Sequence, residues 1–216
     1  MKHVVSSQPW GVVDIVMGEG RIFFQQDWYY DWQVRTPMAD WTIAEKRHMH
    51  NTVDRQIWAS WSNHIKIPVA LGSSPDARAR DLVTRTKGNI PINFDIRWVL
   101  KPGHWFVTAI KSRPGDTDHN TVDFDHRKIV LHSYKLKPYT AGNDAGASRS
   151  GFLSPPHEFG HTLKDDDEYQ TGSPNLSDTD SIMNIGRRIR PRHIQLIVDT
   201  LNKVLPGCVF SLPATI

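Results

Sequence analysis

Residues 157–161 read His-Glu-Phe-Gly-His, and these types at this spacing suit one kind of chemistry. Residues four apart on a helix share a face, so His157 and His161 can offer imidazole nitrogens to a single ion. Glu158 falls one residue round, beside the position that a metal site open to substrate keeps for water, and can act there as a base. In a chain with 11 histidines, roughly 0.01 chance occurrences of this pattern are expected. A helix with two incidental surface histidines is therefore the weaker reading. Ser154 is placed to cap the helix, and Pro155 and Pro156 fall in a first turn that needs no amide donors.

Two histidines leave a tetrahedral zinc one protein donor short if its fourth position stays open. The run Asp165, Asp166, Asp167, Glu168 follows at once; Asp165 and Asp166 read as solvated loop. In metzincin-like sites the helix ends on a glycine three residues past the second histidine, and the sixth residue ligates. On that spacing Asp167 is the favoured third ligand, with Glu168 as the alternative. Lys164 stands where the glycine would be, so it must accept left-handed backbone or the turn must differ. Farther on, Ser181-Ile182-Met183 resembles the Met-turn that floors a metzincin zinc, although a lone methionine is ordinarily core filler.

Taken with Asp167-Glu168-Tyr169, Ser181-Ile182-Met183-Asn184 and Arg190-Pro191-Arg192-His193, residues 152–205 resemble a known family, the zinc metallopeptidase domains attached to VgrG spike proteins of bacterial type VI secretion systems. More distantly they resemble snapalysin-type proteases and the IgA-specific metallo-endopeptidases. The resemblance covers about a quarter of the chain. It implies an α/β (α+β), metzincin-like fold in one domain spanning 1–216. A twisted mixed sheet with helices would form an upper lobe (about 1–164) ending in the active-site helix. A small lower lobe (about 165–216) would face it across a substrate cleft. The implied cofactor is Zn2+, held by His157, His161 and Asp167 or Glu168. Glu158 would carry protons during peptide-bond hydrolysis, and Tyr169 or His193 would help to stabilise an oxyanion. A polypeptide substrate, an immunity protein and a parent spike protein are the implied partners. The implied biology is a toxin secreted without a signal peptide and acting in a target cell's periplasm. Two other readings stay open: a zinc amidase or peptidoglycan hydrolase, and a structural spike module whose zinc is closed off by four protein ligands.

Composition narrows the field. A formal net charge of +3 without a long Lys/Arg run does not argue for nucleic acid. No stretch is apolar enough for a membrane span, and residues 4–9 lack the apolar core of a signal peptide. A peptidase of this kind would travel as cargo, and the abrupt start suits a domain excised from a longer protein. Cys208 is the only cysteine, which excludes an intrachain disulfide and a cysteine-based zinc site.

The elements that must position the motif are legible in outline. Residues 12–26 read as a hairpin turning at Gly18-Glu19-Gly20. Trp28, Tyr29, Tyr30 and Trp32 read as core, with a substrate-facing surface as the alternative. Thr42-Ile43-Ala44-Glu45 has capping-box form and opens a helix to about His64, with Met49, Val53, Ile57, Trp58, Trp61 and Ile65 as its apolar stripe. Ile65–Leu71 reads as a strand, and Ser74-Pro75 opens a helix that stops near Gly88. Residues 92–100 and 105–111 read as strands joined at Pro102-Gly103. Residues 113–125 read as loop, 127–136 as an edge strand beside the cleft, and 141–151 as a mobile rim. The arginines at 187, 188, 190 and 192 are expected to pair with the acids at 165–168, or else to form a basic rim. A last amphipathic helix runs from about 192 to 205, and Pro206-Gly207 ends it.

Overall fold

One strand organises the chain. In the computed structural model, which describes residues 3–116 and 118–216, Arg21–Val34 (β3) is a 14-residue strand at the centre of a nine-stranded mixed sheet. Ile22, Phe24, Gln26, Trp28 and Tyr30 all point to the buried face, as the period of a strand requires. Met1 and Lys2, where a leader would start, and Thr117, within the stretch read as loop, lie outside the described residues. The expected hairpin is present as Gly11–Val16 (β2) against β3, but β3 runs on through the whole aromatic patch. Of that patch, Trp28 and Tyr30 are buried, whereas Tyr29 and Trp32 are only partly so.

β3 is long enough to pair with different strands along its length. His3–Gln8 (β1) pairs with β2, and β2 pairs with Arg21 to Gln25 of β3. On the opposite edge, Asn89–Val99 (β5) lies parallel to β3 over Ile22 to Tyr29, and Ile65–Leu71 (β4) runs antiparallel to β5. Trp105–Lys111 (β6) is parallel to β3 over Trp28 to Val34. The two strands read as joined at Pro102-Gly103 are therefore separated by β3. Their link passes over it at Asp27, whose N–H donates to His104 Nδ1 at 2.8 Å. A side chain at residue 103 would collide with the Asp27 backbone, so the crossing needs glycine. Beyond β6 lie Lys128–His132 (β8) and then Thr121–Asp123 (β7). The cleft-side edge strand is thus β7, taken from the stretch read as loop. β8 is an inner strand and gives way to a short 3₁₀ turn at Ser133–Leu136. At the far edge Cys208–Phe210 (β11) pairs with β4.

Helices cover the buried face. Ile43–Trp61 (α1) opens with the expected capping box: Thr42 Oγ1 accepts from the Glu45 N–H at 3.2 Å and Glu45 Oε2 accepts from the Thr42 N–H at 2.8 Å. Met49, Val53, Ile57 and Trp61 form its buried stripe. Trp58 lies off that stripe and is exposed, and Ile65 already belongs to β4. Ala77–Thr86 (α2) is capped by Asp76 rather than opened by Ser74-Pro75. Tyr139–Gly142 (β9) and Ser148–Phe152 (β10) make a hairpin out of the stretch read as a rim. Ser154–His161 (α3) carries the histidines, and Gln195–Val204 (α4) follows a 3₁₀ turn at Pro191–Ile194. The fold is mixed α/β, with a curled mixed sheet and several helices.

The histidine helix α3 is fixed at both ends. Near its start, the Trp61 indole N–H donates to the Pro156 carbonyl at 2.9 Å. At its end, Gln26 reaches out of the sheet and donates to Thr162 Oγ1 at 2.9 Å and to the Trp10 carbonyl at 3.0 Å, while its Oε1 accepts from the Trp28 indole at 3.0 Å. Between these ties Phe159 packs against Phe24, Trp61 and Phe94. A buried amide with all its partners made specifies one arrangement. Replacing Gln26 by leucine would leave the buried Trp28 N–H without an acceptor. The expected loss is about 1–3 kcal/mol of unfolding free energy in a urea titration. An unchanged midpoint would show that this amide does not hold the helix.

Candidate metal centre

The first turn of α3 differs from expectation in one respect. Leu153, not Ser154, is the capping residue, and it makes no side-chain cap bond. Ser154 is already helical, and its hydroxyl is directed elsewhere: Oγ accepts from Asn120 Nδ2 at 2.8 Å and donates to Glu158 Oε1 at 3.1 Å. With prolines at the next two positions there are fewer amides for a cap to satisfy. The helix ends in a Schellman-type turn. The Lys164 N–H donates to the His161 carbonyl and the Asp165 N–H to the Gly160 carbonyl, with Lys164 at φ 70°. The lysine has accepted the left-handed backbone in place of a glycine, and the chain reverses to bring in residues 165–168.

That reversal brings three side chains together. His157 Nε2 and His161 Nε2 lie 3.1 and 3.2 Å from the same oxygen, Asp167 Oδ1. The ligand atoms of the three residues all lie within 4.8 Å of one another, and the group could hold a metal ion. Each imidazole is oriented from behind. His157 Nδ1–H donates to the Ile182 carbonyl at 2.8 Å, and His161 Nδ1–H donates to the Asp165 carbonyl at 2.7 Å. Such backing bonds fix the tautomer and leave Nε2 free for a cation. Asp167 Oδ2 is occupied separately, by the Tyr169 hydroxyl at 2.9 Å and Gln170 Nε2 at 3.2 Å. Burial works to raise the Asp167 pKa, but the two imidazoles outweigh it and hold the carboxyl far below its usual range. Burial would lower the pKa of His161, and Asp167, the Glu158 charge and the bond to the Asp165 carbonyl together more than reverse it. The attraction that draws protons between these atoms would equally draw a divalent cation.

The segment around Met183 lies beneath. The Met183 side chain packs so closely under Gly160 that a β-carbon there would overlap the sulfur, so the glycine inside the histidine motif is needed for close approach. The Glu168 N–H donates to the Met183 carbonyl at 2.8 Å, and Asn184 Nδ2 donates to the Glu168 carbonyl at 3.2 Å. The segment around Met183, the loop at residues 165–168 and the helix are thus joined by hydrogen bonds.

Glu168 and His193 are not brought to the histidine pair. The Glu168 carboxylate is taken by Arg192, at 2.6 Å from Nε and 2.9 Å from Nη2, and lies 3.3 Å from His193 Nε2. Burial opposes its ionisation, yet these partners bring its pKa down to about 2. His193 is buried with its pKa lowered by desolvation, and it accepts from the Arg190 N–H at 3.1 Å. Tyr169 sits at the cluster, but its hydroxyl is committed to Asp167. Charge pairing between the two runs is realised once, in Arg192–Glu168. Arg190 and Arg192 also bind Asp178, while Asp180 takes Arg149 and Arg188. Asp165, which read as solvated, is half-buried, and burial with the nearby Glu168 charge pushes its pKa up to about 9. The sequence reading missed the two backing carbonyls, which have no residue-type signal, and Ser154 as the partner of Glu158.

Two cavities meet at His157 and Glu158. One, of about 370 Å³, is lined further by Lys135, Tyr139, Phe152 and Ile185. The other, of about 530 Å³, is lined by His161, Asp167 and the edge strand β7. The histidine side chains therefore face accessible space. No protein-family model matches the chain, and searches of curated proteins and of solved structures gave no match.

Two neighbouring acids should separate cleanly in experiment. Asp167→Asn is expected to lower divalent-metal affinity at least tenfold by calorimetry, whereas Glu168→Gln, which loosens the loop without removing a ligand, should weaken the affinity much less and destabilise the fold by about 3 kcal/mol. Because the Glu168 pKa is depressed from 4.5 to about 2 on folding, its contribution is complete above the unfolded value. It is lost as pH falls from about 4.5 to about 2. Acid titration of the variant should lack that loss. The opposite pattern of metal affinities would make Glu168 the ligand.

Proposed function

We propose that this chain is a zinc-dependent metallopeptidase. The observation that carries the reading is the convergence of two imidazoles and one carboxylate on a point that borders open cavities, with Glu158 in those same walls. Two imidazoles with one carboxylate form a donor set that zinc favours, and three protein ligands are the mark of a catalytic rather than a structural zinc. Among the described residues the group has no fourth protein ligand, which weighs against a closed structural site. Zinc bound there supplies Lewis acidity.

The remaining work falls to this chain's residues. Asp167, as a carboxylate ligand in place of a third neutral imidazole, reduces the net charge of the centre and moderates its acidity. The Ser154 hydroxyl anchors Glu158 Oε1 and leaves Oε2 to take a proton from the attacking water. Glu158 then returns that proton to the amine that departs from the cleaved peptide bond. Tyr169 and Gln170 hold Asp167 Oδ2, so that Oδ1 stays turned to the histidines.

The run of motifs from His157 to His193 supports placing the domain among VgrG-associated metallopeptidase effectors of metzincin-like fold. In that setting it would be delivered as a toxin into a rival cell's periplasm and held in check by an immunity protein. Among the described residues no helix is long and apolar enough to cross a membrane.

The test is Glu158→Gln. It should retain zinc at the wild-type level by elemental analysis and lose casein hydrolysis by about 10²–10⁴-fold. Undiminished turnover in the zinc-loaded variant would remove Glu158 from the mechanism. Turnover of purified cell wall but not of casein by the wild-type protein would favour the amidase instead.

A further inference from the structure

Among the described residues the smaller cavity is lined by one strong cation, and that cation is unpaired. Lys135 lies in the 3₁₀ turn Ser133–Leu136, which packs against α3, and it lines the same cavity as Glu158. Its ammonium sits over two aromatic faces, 4.4 Å from the Tyr139 ring centre and 5.2 Å from that of Tyr134. Contacts of this kind fix a charge in place without neutralising it. Among the described residues Lys135 makes no ion pair and no side-chain hydrogen bond. Glu158 is close enough to be felt but does not pair with it, and its Oε1 is engaged by Ser154. Lys135 is half-buried as a residue, and desolvation lowers its pKa. A cation held between tyrosines at the wall of a cavity, with three ammonium donors unused, lacks an anionic partner.

Resting on the metallopeptidase reading above, we infer that the cavity beside Glu158 is a specificity subsite in which Lys135 receives the carboxylate of an aspartate or glutamate flanking the cleaved bond. The cavity, at about 370 Å³, has room for such a side chain. Its remaining walls suit the stem of that side chain, with Phe152 and Ile185 as apolar surface and Tyr139 alongside the ammonium. The charge balance makes the inference specific. Glu158 alone would repel an acidic side chain, and among the described residues Lys135 is the only lysine or arginine lining the cavity that could reverse that sign.

The experiment compares the zinc-loaded wild-type protein with Lys135→Met, which keeps an apolar stem between the tyrosines, and with Lys135→Glu. Each is given a peptide library, and cut sites are read by mass spectrometry. Wild-type cuts should be enriched for Asp or Glu at one position beside the bond, with kcat/KM for a glutamyl peptide about tenfold or more above its glutaminyl twin. That ratio should shrink with added salt. It should fall to about one in Lys135→Met, and the library preference should move to Lys or Arg at the same position in Lys135→Glu. Cleavage without acidic preference, or a preference that survives Lys135→Met, overturns the inference while leaving the peptidase reading in place. Should no peptide be cut, that reading fails, and the subsite is judged by calorimetry on zinc-loaded Glu158→Gln. There, tighter binding of the glutamyl peptide than of its glutaminyl twin, lost on adding Lys135→Met, supports it; equal binding refutes it.

Discussion

The site depends on a pair of hydrogen bonds that lie behind its three converging side-chain atoms. The Ile182 and Asp165 carbonyls accept the Nδ1 protons of His157 and His161. Helical spacing puts two imidazoles on one face, but it leaves each ring free to turn and each tautomer free to exchange. The two carbonyls remove both freedoms, and both Nε2 atoms then meet a single oxygen of Asp167. Each carbonyl comes from the segments that must also be in place for other reasons. Asp165 belongs to the turn that ends the helix, and Ile182 to the turn beneath it. Orienting the ligands and closing the fold are therefore one event, and metal affinity should be coupled to the stability of both turns.

The parts of this arrangement that could be read from sequence are those governed by local chemistry. The His157/His161 pair, the Thr42–Glu45 capping box and the β2–β3 turn are each decided within a few residues. The departures in the sheet arose where a distant partner decides. Trp28 and Tyr30 extend β3 because β6 pairs with that half of it, a neighbour that local alternation cannot name. Pro102-Gly103 signals a turn, but whether a turn reverses the chain or carries it across another strand depends on what lies beneath, here Asp27. β1 alternates between exposed and half-buried residues, so it has no apolar periodicity to betray it, and β11 is only three residues long.

Choosing between Asp167 and Glu168 is the same problem on the smallest scale. The two residues are adjacent, alike in charge and one methylene apart in length, so spacing cannot separate them. What separates them is Arg192, 24 residues later in the chain. A guanidinium binds a carboxylate through two parallel bonds and fixes its direction as well as its position. With Glu168 taken by Arg192 on one side of the backbone, its neighbour is turned toward the histidines. The expectation that acids and arginines pair across the site was correct in kind, yet it could not identify the pair, because Asp178 competes for the same guanidinium.

Such a pair contributes more to placement than to stability. For the buried glutamate, attraction outweighs the loss of solvation, yet apolar side chains of similar volume could fill the same space about as stably. Its effect is to make the alternatives worse. A loop that slipped by one residue would bury Glu168 without its cation, withdraw Asp167 from two imidazoles and break the Glu168–Met183 backbone bond at once. Three separate penalties for one displacement hold the loop more narrowly than any single strong contact could. A site that must present Oδ1 within a few tenths of an ångström, before any cation arrives to organise it, needs that kind of constraint.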